Sequence, residues 1–264
     1  MFAGLYYLLY DMNIVVNPLY THLYDFVNQL PHMDCPPGEI IKDNRNVITK
    51  FTIGNDTLVI KKFIKPNPLN QVMYAYFRKS KARRSYEYSL RLKELGLGTA
   101  EPVAYIDIKK NGLFHTGYYI SYFLTGKIFT SIDFIDDAET KNKLLEDFAA
   151  FTAEMHTKGA MHYDYNPSNM FYSEEGNHYR FSVIDINRMR FRKGTKARSI
   201  KALTTLLLDL PVLMFVLERY AKLRGWNLDI FLGRLFLKRG LKISLRIKWF
   251  FKDIIRFFFK RGKK

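Results

Sequence analysis

The chain has 264 residues, 48% of them hydrophobic and 16% aromatic: enough apolar material for a sizeable core, and too much for a disordered protein. Its one cysteine, Cys35, excludes a disulfide scaffold, and no Cys/His spacing suggests structural zinc; both fit a reducing cytoplasm. A formal net charge of +17 calls for an anionic partner, either a phosphorylated sugar, an acidic lipid surface or nucleic acid. With no zinc finger, RNP signature or helix-turn-helix cue, nucleic acid is the least favoured of these.

The N-terminus is apolar from Leu5 to Tyr10 but is interrupted by Asp11. It has no basic n-region and no small-residue cleavage site, so it does not read as a signal peptide. Met12 is an alternative start that would make residues 1–11 an extension. Residues 39–63 read as strands: Val47 to Ile53, a turn at Gly54-Asn55-Asp56, and a return over Thr57 to Phe63. Period-two alternation puts Val59, Lys61 and Phe63 on one face of the return strand and Ile60 and Lys62 on the other. A basic insert from Lys65 to Arg84 follows, with Tyr74, Tyr76 and Phe77 among its cations. A helix is expected from about Ala82 to Leu95, stopped by Gly96 and carrying Glu87. Pro102 to Ile108 and Leu113 to Phe123 read as a hairpin, and Tyr122 to Gly126 leads on toward a helical half. Glu139 to Lys158 then has Leu144, Phe148, Phe151 and Met155 at helical spacing, and Gly159 ends it.

Next comes the most informative stretch, His162-Tyr163-Asp164-Tyr165-Asn166-Pro167-Ser168-Asn169. Two short strands follow, Met170 to Tyr172 and Tyr179 to Ile184, and the second ends at Asp185. The pattern is H-x-D-x-x-x-x-N, then an apolar strand ending in Asp. Phosphoryl transfer from ATP needs oxygen-bearing groups in this order. One carboxylate receives the proton of the attacking hydroxyl, and an Asn amide and a second carboxylate hold magnesium on the phosphates. Such chemistry also needs a strand lysine for the α- and β-phosphates. Aligning Val59 with the adenine-facing residue selects Lys61 over Lys62, although both could be solvated lysines on an edge strand. Glu87 is the helix carboxylate that would pair with that lysine, with Glu94 as fallback; the plainer reading of Glu87 is an i,i+4 partner of Arg83 or Arg91. No G-x-G-x-x-G precedes Lys61. Asn44-Arg45-Asn46 and Gly54 are the only loop candidates, and Asp185-Ile186-Asn187 lacks the glycine of D-F-G.

These residues resemble the lipopolysaccharide kinase family, which includes Kdo kinases and core heptose kinases. The resemblance spans about Asn44 to Tyr220 and rests on V-I-K-K-F at 59–63, the Glu87 helix, E-P-V-A-Y at 101–105, M-H-Y-D-Y-N-P-S-N-M-F at 161–171 and V-I-D-I-N-R at 183–188. It implies an α+β, protein-kinase-like two-lobed fold in one domain, with a mainly β N-lobe over about 12–124 and a helical C-lobe over about 125–240. It implies ATP and magnesium as cofactors, and a sugar hydroxyl of the lipopolysaccharide inner core as acceptor. The expected location is the cytoplasmic face of the inner membrane. Carried onto this chain, Asp164 is the catalytic base and His162 organises its loop. Asn169 and Asp185 are the magnesium ligands, Lys61 holds the phosphates and Glu87 positions Lys61. Aminoglycoside phosphotransferases and RIO-type kinases carry a similar loop, so the motif specifies the superfamily and not the acceptor. Another kinase acting on protein or a small molecule, or a membrane-associated pseudokinase, are the alternatives.

Arg188, Arg190 and Arg192 alternate after Asp185, so an extended segment would gather them on one face, to bind substrate oxyanions or simply to form a basic loop. Leu241 to Lys260 sets basic residues opposite an apolar face rich in Phe and Trp249. The cations leave no run of ~18 apolar residues, so the segment does not span a membrane. It suits an interfacial helix on anionic lipid, or a helix packed on the C-lobe.

Overall fold

The computed structural model describes residues 10–43 and 46–261, with the side chains of the last helix described as far as Ser244. Two compact units form. The first holds the chain up to Ile128 with 170–173 and 180–189; the second holds 129–169, 174–179 and the chain from Arg190 onward.

The first unit is built on an antiparallel sheet of six strands. These are β1 (Tyr10–Val16), β2 (Glu39–Asp43), β3 (Asn46–Ile53), β4 (Asp56–Phe63), β6 (Pro102–Lys110) and β7 (Leu113–Tyr122), in the order β1-β6-β7-β4-β3-β2. β1 pairs along its whole length with β6, Tyr10 opposite Lys110 and Val16 opposite Ala104. One face is covered by the chain from Pro18 to His32, which includes α1 (Tyr24–Gln29). There Leu23, Phe26, Val27 and Leu30 bury against Leu58, Ile60, Ala104, Ile106 and Ile120. Each of these larger side chains, Ala104 aside, stabilises by about 1.5–3 kcal/mol when fully buried.

The other face of the sheet takes α3 (Lys81–Glu94), whose Ala82 and Tyr86 pack on Phe63 and Tyr105. Ser80 caps this helix by accepting from the Arg83 amide at 2.9 Å. The alternation expected on β4 holds: Leu58 and Ile60 face the α1 side, and Phe63 faces α3. The basic insert ahead of α3 is not merely a loop. It forms α2 (Pro68–Val72), started by an Asn67 cap, and a π-helical turn over Met73–Phe77.

A second sheet runs β5-β11-β10-β8, from β5 (Gly98–Thr99), β8 (Lys127–Ile128), β10 (Met170–Glu175) and β11 (His178–Val183). β5 lies parallel to the end of β11, with Val183 opposite Thr99. A Cβ on Gly98 would sit 2.0 Å from the Phe181 carbonyl oxygen, so only glycine allows this approach.

The second unit is mainly helical. α4 (Ala138–Thr157) starts on an Asp137 cap and buries Leu144, Phe148 and Met155 of its expected stripe, while Phe151 is half-buried. Gly159 ends it at φ +81°, with the Arg192 carbonyl too close for any side chain. β9 (Ala160–Met161) pairs with β12 (Arg190–Phe191). α5 (Lys196–Leu203), α6 (Leu210–Leu223) and α7 (Leu228–Arg261) complete the unit. α7 is anchored by Phe231 and Leu235, both fully buried, and by the Arg239 guanidinium donating to the Leu203 and Leu206 carbonyls. Beyond that anchor Leu241 and Ile243 are both 57% exposed. The amphipathic face expected after them falls on side chains outside the described residues. Among the described residues no helix is long and apolar enough to cross a membrane.

Candidate active site

The H-x-D-x-x-x-x-N segment is a loop that closes on itself. His162 is fully buried, and its Nδ1 accepts the Asp164 amide at 3.1 Å. Tyr165 is buried too; its amide donates to Thr205 Oγ1 at 2.9 Å, and its hydroxyl lies 2.8 Å from Thr152 Oγ1. With His162 and Tyr165 anchored inward, Tyr163 and Asp164 between them stay half-buried. The last turn, Pro167–Asn169, is 3₁₀. Here the Asn169 amide nitrogen donates to the Asp164 carbonyl at 2.9 Å. That commits the nitrogen of Asn169 to the loop and leaves its amide oxygen as the atom suited to a hard cation.

Asp185 follows β11 and adopts φ +52°, a left-handed conformation that costs a non-glycine residue roughly 1–2 kcal/mol. Its Oδ1 receives Lys61 Nζ at 2.9 Å and Asn187 Nδ2 at 2.6 Å. Lys61 comes from the middle of β4, 124 residues earlier. Thr99 ties down the approach to Asp185 by donating to the Val183 carbonyl at 2.8 Å. Lys62 points elsewhere, to the Asp34 carbonyl at 3.1 Å. Of the two candidate lysines, the fold therefore brings Lys61 to Asp185.

A cavity of about 500 Å³ surrounds this pair, lined by Lys42, Lys61, Lys81, Asp185, Asn187 and Arg188 among others. Lys42 and Asn46 reach it from the ends of β2 and β3, whose two-residue link at 44–45 lies outside the described residues. Gly54 is a turn residue between β3 and β4 at φ +57°. Lys81 is exposed overall, yet partial desolvation, and after it Arg188, Arg84 and Lys61, make it hold its proton less tightly than an ordinary lysine.

Two expectations need correction. Glu87 does not pair with Lys61: its oxygens are taken by Lys79 at 2.7 Å and Arg83 at 2.8 Å. Arg83 lies one helical turn before Glu87 and reaches it without leaving the surface of α3, while Lys61 is held by Asp185. The three arginines do not share an extended face either. Left-handed Asp185 leads into a 3₁₀ turn at Ile186–Arg188, so only Arg190–Phe191 is strand and the alternation breaks. The sequence reading also missed Lys42, Lys81 and Asn187. Asn187 had a signal, a short amide two residues after Asp185; Lys42 and Lys81 had none beyond their charge.

A six-stranded antiparallel sheet with α3 on one face, a strand lysine on a terminal aspartate and an H-x-D-x-x-x-x-N loop define a protein-kinase-like phosphotransferase. The model of the lipopolysaccharide kinase (Kdo/WaaP) family matches residues 59–213, and the chain belongs to that family, whose members are kinases of lipopolysaccharide synthesis. No curated protein matches it in sequence. Among solved structures, WaaP in complex with acyl carrier protein is 17% identical at a TM-score of 0.61, over 86% of this chain and 98% of that one. A Ralstonia eutropha protein assigned as an aminoglycoside phosphotransferase is 12% identical at a TM-score of 0.50, over 81% and 84%. At these identities the two structures establish a shared fold.

Proposed function

We propose that this protein uses ATP and magnesium to phosphorylate a sugar hydroxyl in the inner core of lipopolysaccharide. The observation that carries the reading is the Lys61–Asp185 pair, 2.9 Å apart in a cavity otherwise rich in cations. A lysine and a carboxylate from distant parts of the chain, set together where a polyphosphate could be neutralised, suit nucleotide binding better than structural stabilisation. By donor type both residues suit the metal: a carboxylate at Asp185 and an amide oxygen at Asn169 are hard ligands of the kind magnesium prefers. Magnesium held by them would offset charge on the phosphates.

The remaining roles belong to the chain itself. Asp164 takes the proton of the acceptor hydroxyl as its oxygen bonds the γ-phosphorus of ATP and the bond to ADP breaks. His162 fixes the direction of Asp164 through its bond to the Asp164 amide. Lys61 exchanges its contact with Asp185 for one with the α- and β-phosphates. The basic, aromatic segment 241–264 would hold the enzyme on anionic lipid at the cytoplasmic face of the inner membrane. The phosphate content of lipopolysaccharide from a strain lacking this protein, against its parent, tests the acceptor. Loss of core phosphate restored by the gene is expected; unchanged phosphate would remove lipopolysaccharide as the acceptor.

A further inference from the structure

We propose that Lys81, the first residue of α3, binds the terminal phosphate of the nucleotide together with Arg188. The inference rests on the ATP-binding reading above and adds to it a site for the end of the triphosphate.

Charge balance is the first argument. The cavity holding Lys61 and Asp185 is lined by four cations, Lys42, Lys61, Lys81 and Arg188, and by one carboxylate, Asp185. That carboxylate already receives Lys61 and Asn187 on a single oxygen. Among the described residues Asp185 is the one acid in the lining, and a polyphosphate would suit the cations around it. The cations crowd one another as well: Arg188, Arg84 and Lys61 all disfavour the charge on Lys81, and only Asp185 favours it.

The second argument is position. In kinases of this fold the covering helix presents a carboxylate to the strand lysine. Here Glu87 is turned to Lys79 and Arg83, and the helix presents Lys81 to the cavity instead. Lys81 is also the first helical residue of α3, so the positive end of the helix dipole stands at the same wall. A glycine-rich loop would offer backbone amides to the β- and γ-phosphates, and no such loop precedes Lys61 in this sequence. Side-chain cations at the helix start and just after Asp185 can supply the missing donors.

The test uses the full chain and its Lys81→Ala, Lys81→Arg and Lys61→Met variants. Calorimetry measures a non-hydrolysable ATP analogue and ADP, each with magnesium. Lys81→Ala should weaken the triphosphate by about 10- to 100-fold, the scale of one charge-assisted hydrogen bond, and ADP by less than about threefold on the same scale, because ADP lacks the phosphate concerned. Lys81→Arg should restore most of the difference. Without nucleotide, Lys81→Ala should melt no lower than the parent, since it relieves repulsion. Equal loss for the two nucleotides, or no loss for either, overturns the proposal. So does unchanged nucleotide binding with a raised KM for a phosphorylated acceptor, which would give Lys81 to the acceptor instead. A parent protein that binds neither nucleotide defeats the ATP reading along with this one. A parent that binds both, and loses them in Lys61→Met, leaves that reading standing whatever Lys81 does.

Discussion

Replacing Lys61 with methionine should move two ligands in opposite directions. Methionine keeps much of the side-chain bulk near Phe63, whose ring lies 5.3 Å from Lys61 Nζ, and removes the ammonium. A divalent ion binding Asp185 without nucleotide must displace or repel that ammonium, which sits 2.9 Å from Oδ1. The lysine side chain is 14% exposed and the aspartate 36%, so the pair belongs neither to the surface nor to the core. Bare attraction between charges 4 Å apart is about 4 kcal/mol at an effective dielectric of 20, while exposed pairs measure about 0.2–1 kcal/mol. Solvent at Asp185 favours the lower end. We therefore expect about 1 kcal/mol, or roughly fivefold tighter divalent binding in Lys61→Met. The triphosphate loses a charge-assisted contact of about 1.5–3 kcal/mol and should weaken by roughly 10- to 150-fold. Manganese binding followed by electron paramagnetic resonance, beside calorimetry with the ATP analogue, reads both. If the manganese affinity also fell, lysine and metal would not compete for Asp185, and the assignment of that carboxylate would fail.

Glu87→Gln should change nucleotide affinity by less than about threefold and cost under about 1 kcal/mol of stability, because it removes only partly exposed pairs; a loss in affinity above about thirtyfold would restore Glu87 as the partner of Lys61. His156 gives a prediction about pH. It is fully buried against Tyr220, and burial, aided by Arg224 and His162, pushes its pKa from 6.5 to about 3. The unfolded chain therefore binds this proton first, and stability should fall as pH drops from about 6.5 toward 3, by up to about 5 kcal/mol at ~1.36 kcal/mol per unit. Asp107, pushed up to about 6 by burial, has the opposite slope in part of that window, but it is common to both proteins and cancels in a comparison. His156→Gln, which keeps an acceptor for Tyr220, should flatten the decline in urea melts between pH 7 and 4, and equal slopes would contradict the account. Removing residues 241–264 leaves Phe231, Leu235 and Arg239 in place, so the fold should hold while flotation with anionic vesicles is lost. A truncated protein that still floats defeats the lipid anchor.

What could be read from the sequence follows the range of the interactions involved. The H-x-D-x-x-x-x-N loop was legible because its bonds are local: His162 to Asp164 spans two residues and Asn169 to Asp164 five. Residue identities at fixed spacing nearly determine such a loop. The β4 strand was legible from period two, which separates Lys61 from Lys62 once one face is buried. Glu87 was misjudged because a local and a long-range partner competed for it, and spacing cannot decide between them; the local Arg83 won. The arginine series failed at a single backbone angle. The left-handed φ of Asp185 resets the register, and no residue type there announces it.

The N-terminal strand was missed although Tyr10, Met12, Ile14 and Val16 carry the alternation, and all four pack on one face of the sheet. In the sequence Leu5 to Tyr10 is weighed only as a signal peptide, and rejected as one, and Met12 to Val16 is left unassigned. Residues 18–32 gave little signal, being short 3₁₀ and α pieces with no sustained apolar period. Their role, covering one face of the sheet, is set by tertiary packing. The cations of the cavity were invisible for a related reason. In a chain at +17, charge alone does not separate Lys81 from the solvated lysines around it.

The central claim is tested most directly by transfer of labelled γ-phosphate from ATP, with magnesium, to lipopolysaccharide purified from a strain lacking this protein. The parent protein should label the core saccharide. Asp164→Asn should bind ATP as the parent does yet transfer about 10²–10⁴-fold more slowly, the usual share of a general base. Label on the saccharide that depends on Asp164 is the predicted result. No label with the parent protein, or equal labelling by Asp164→Asn, would contradict the account.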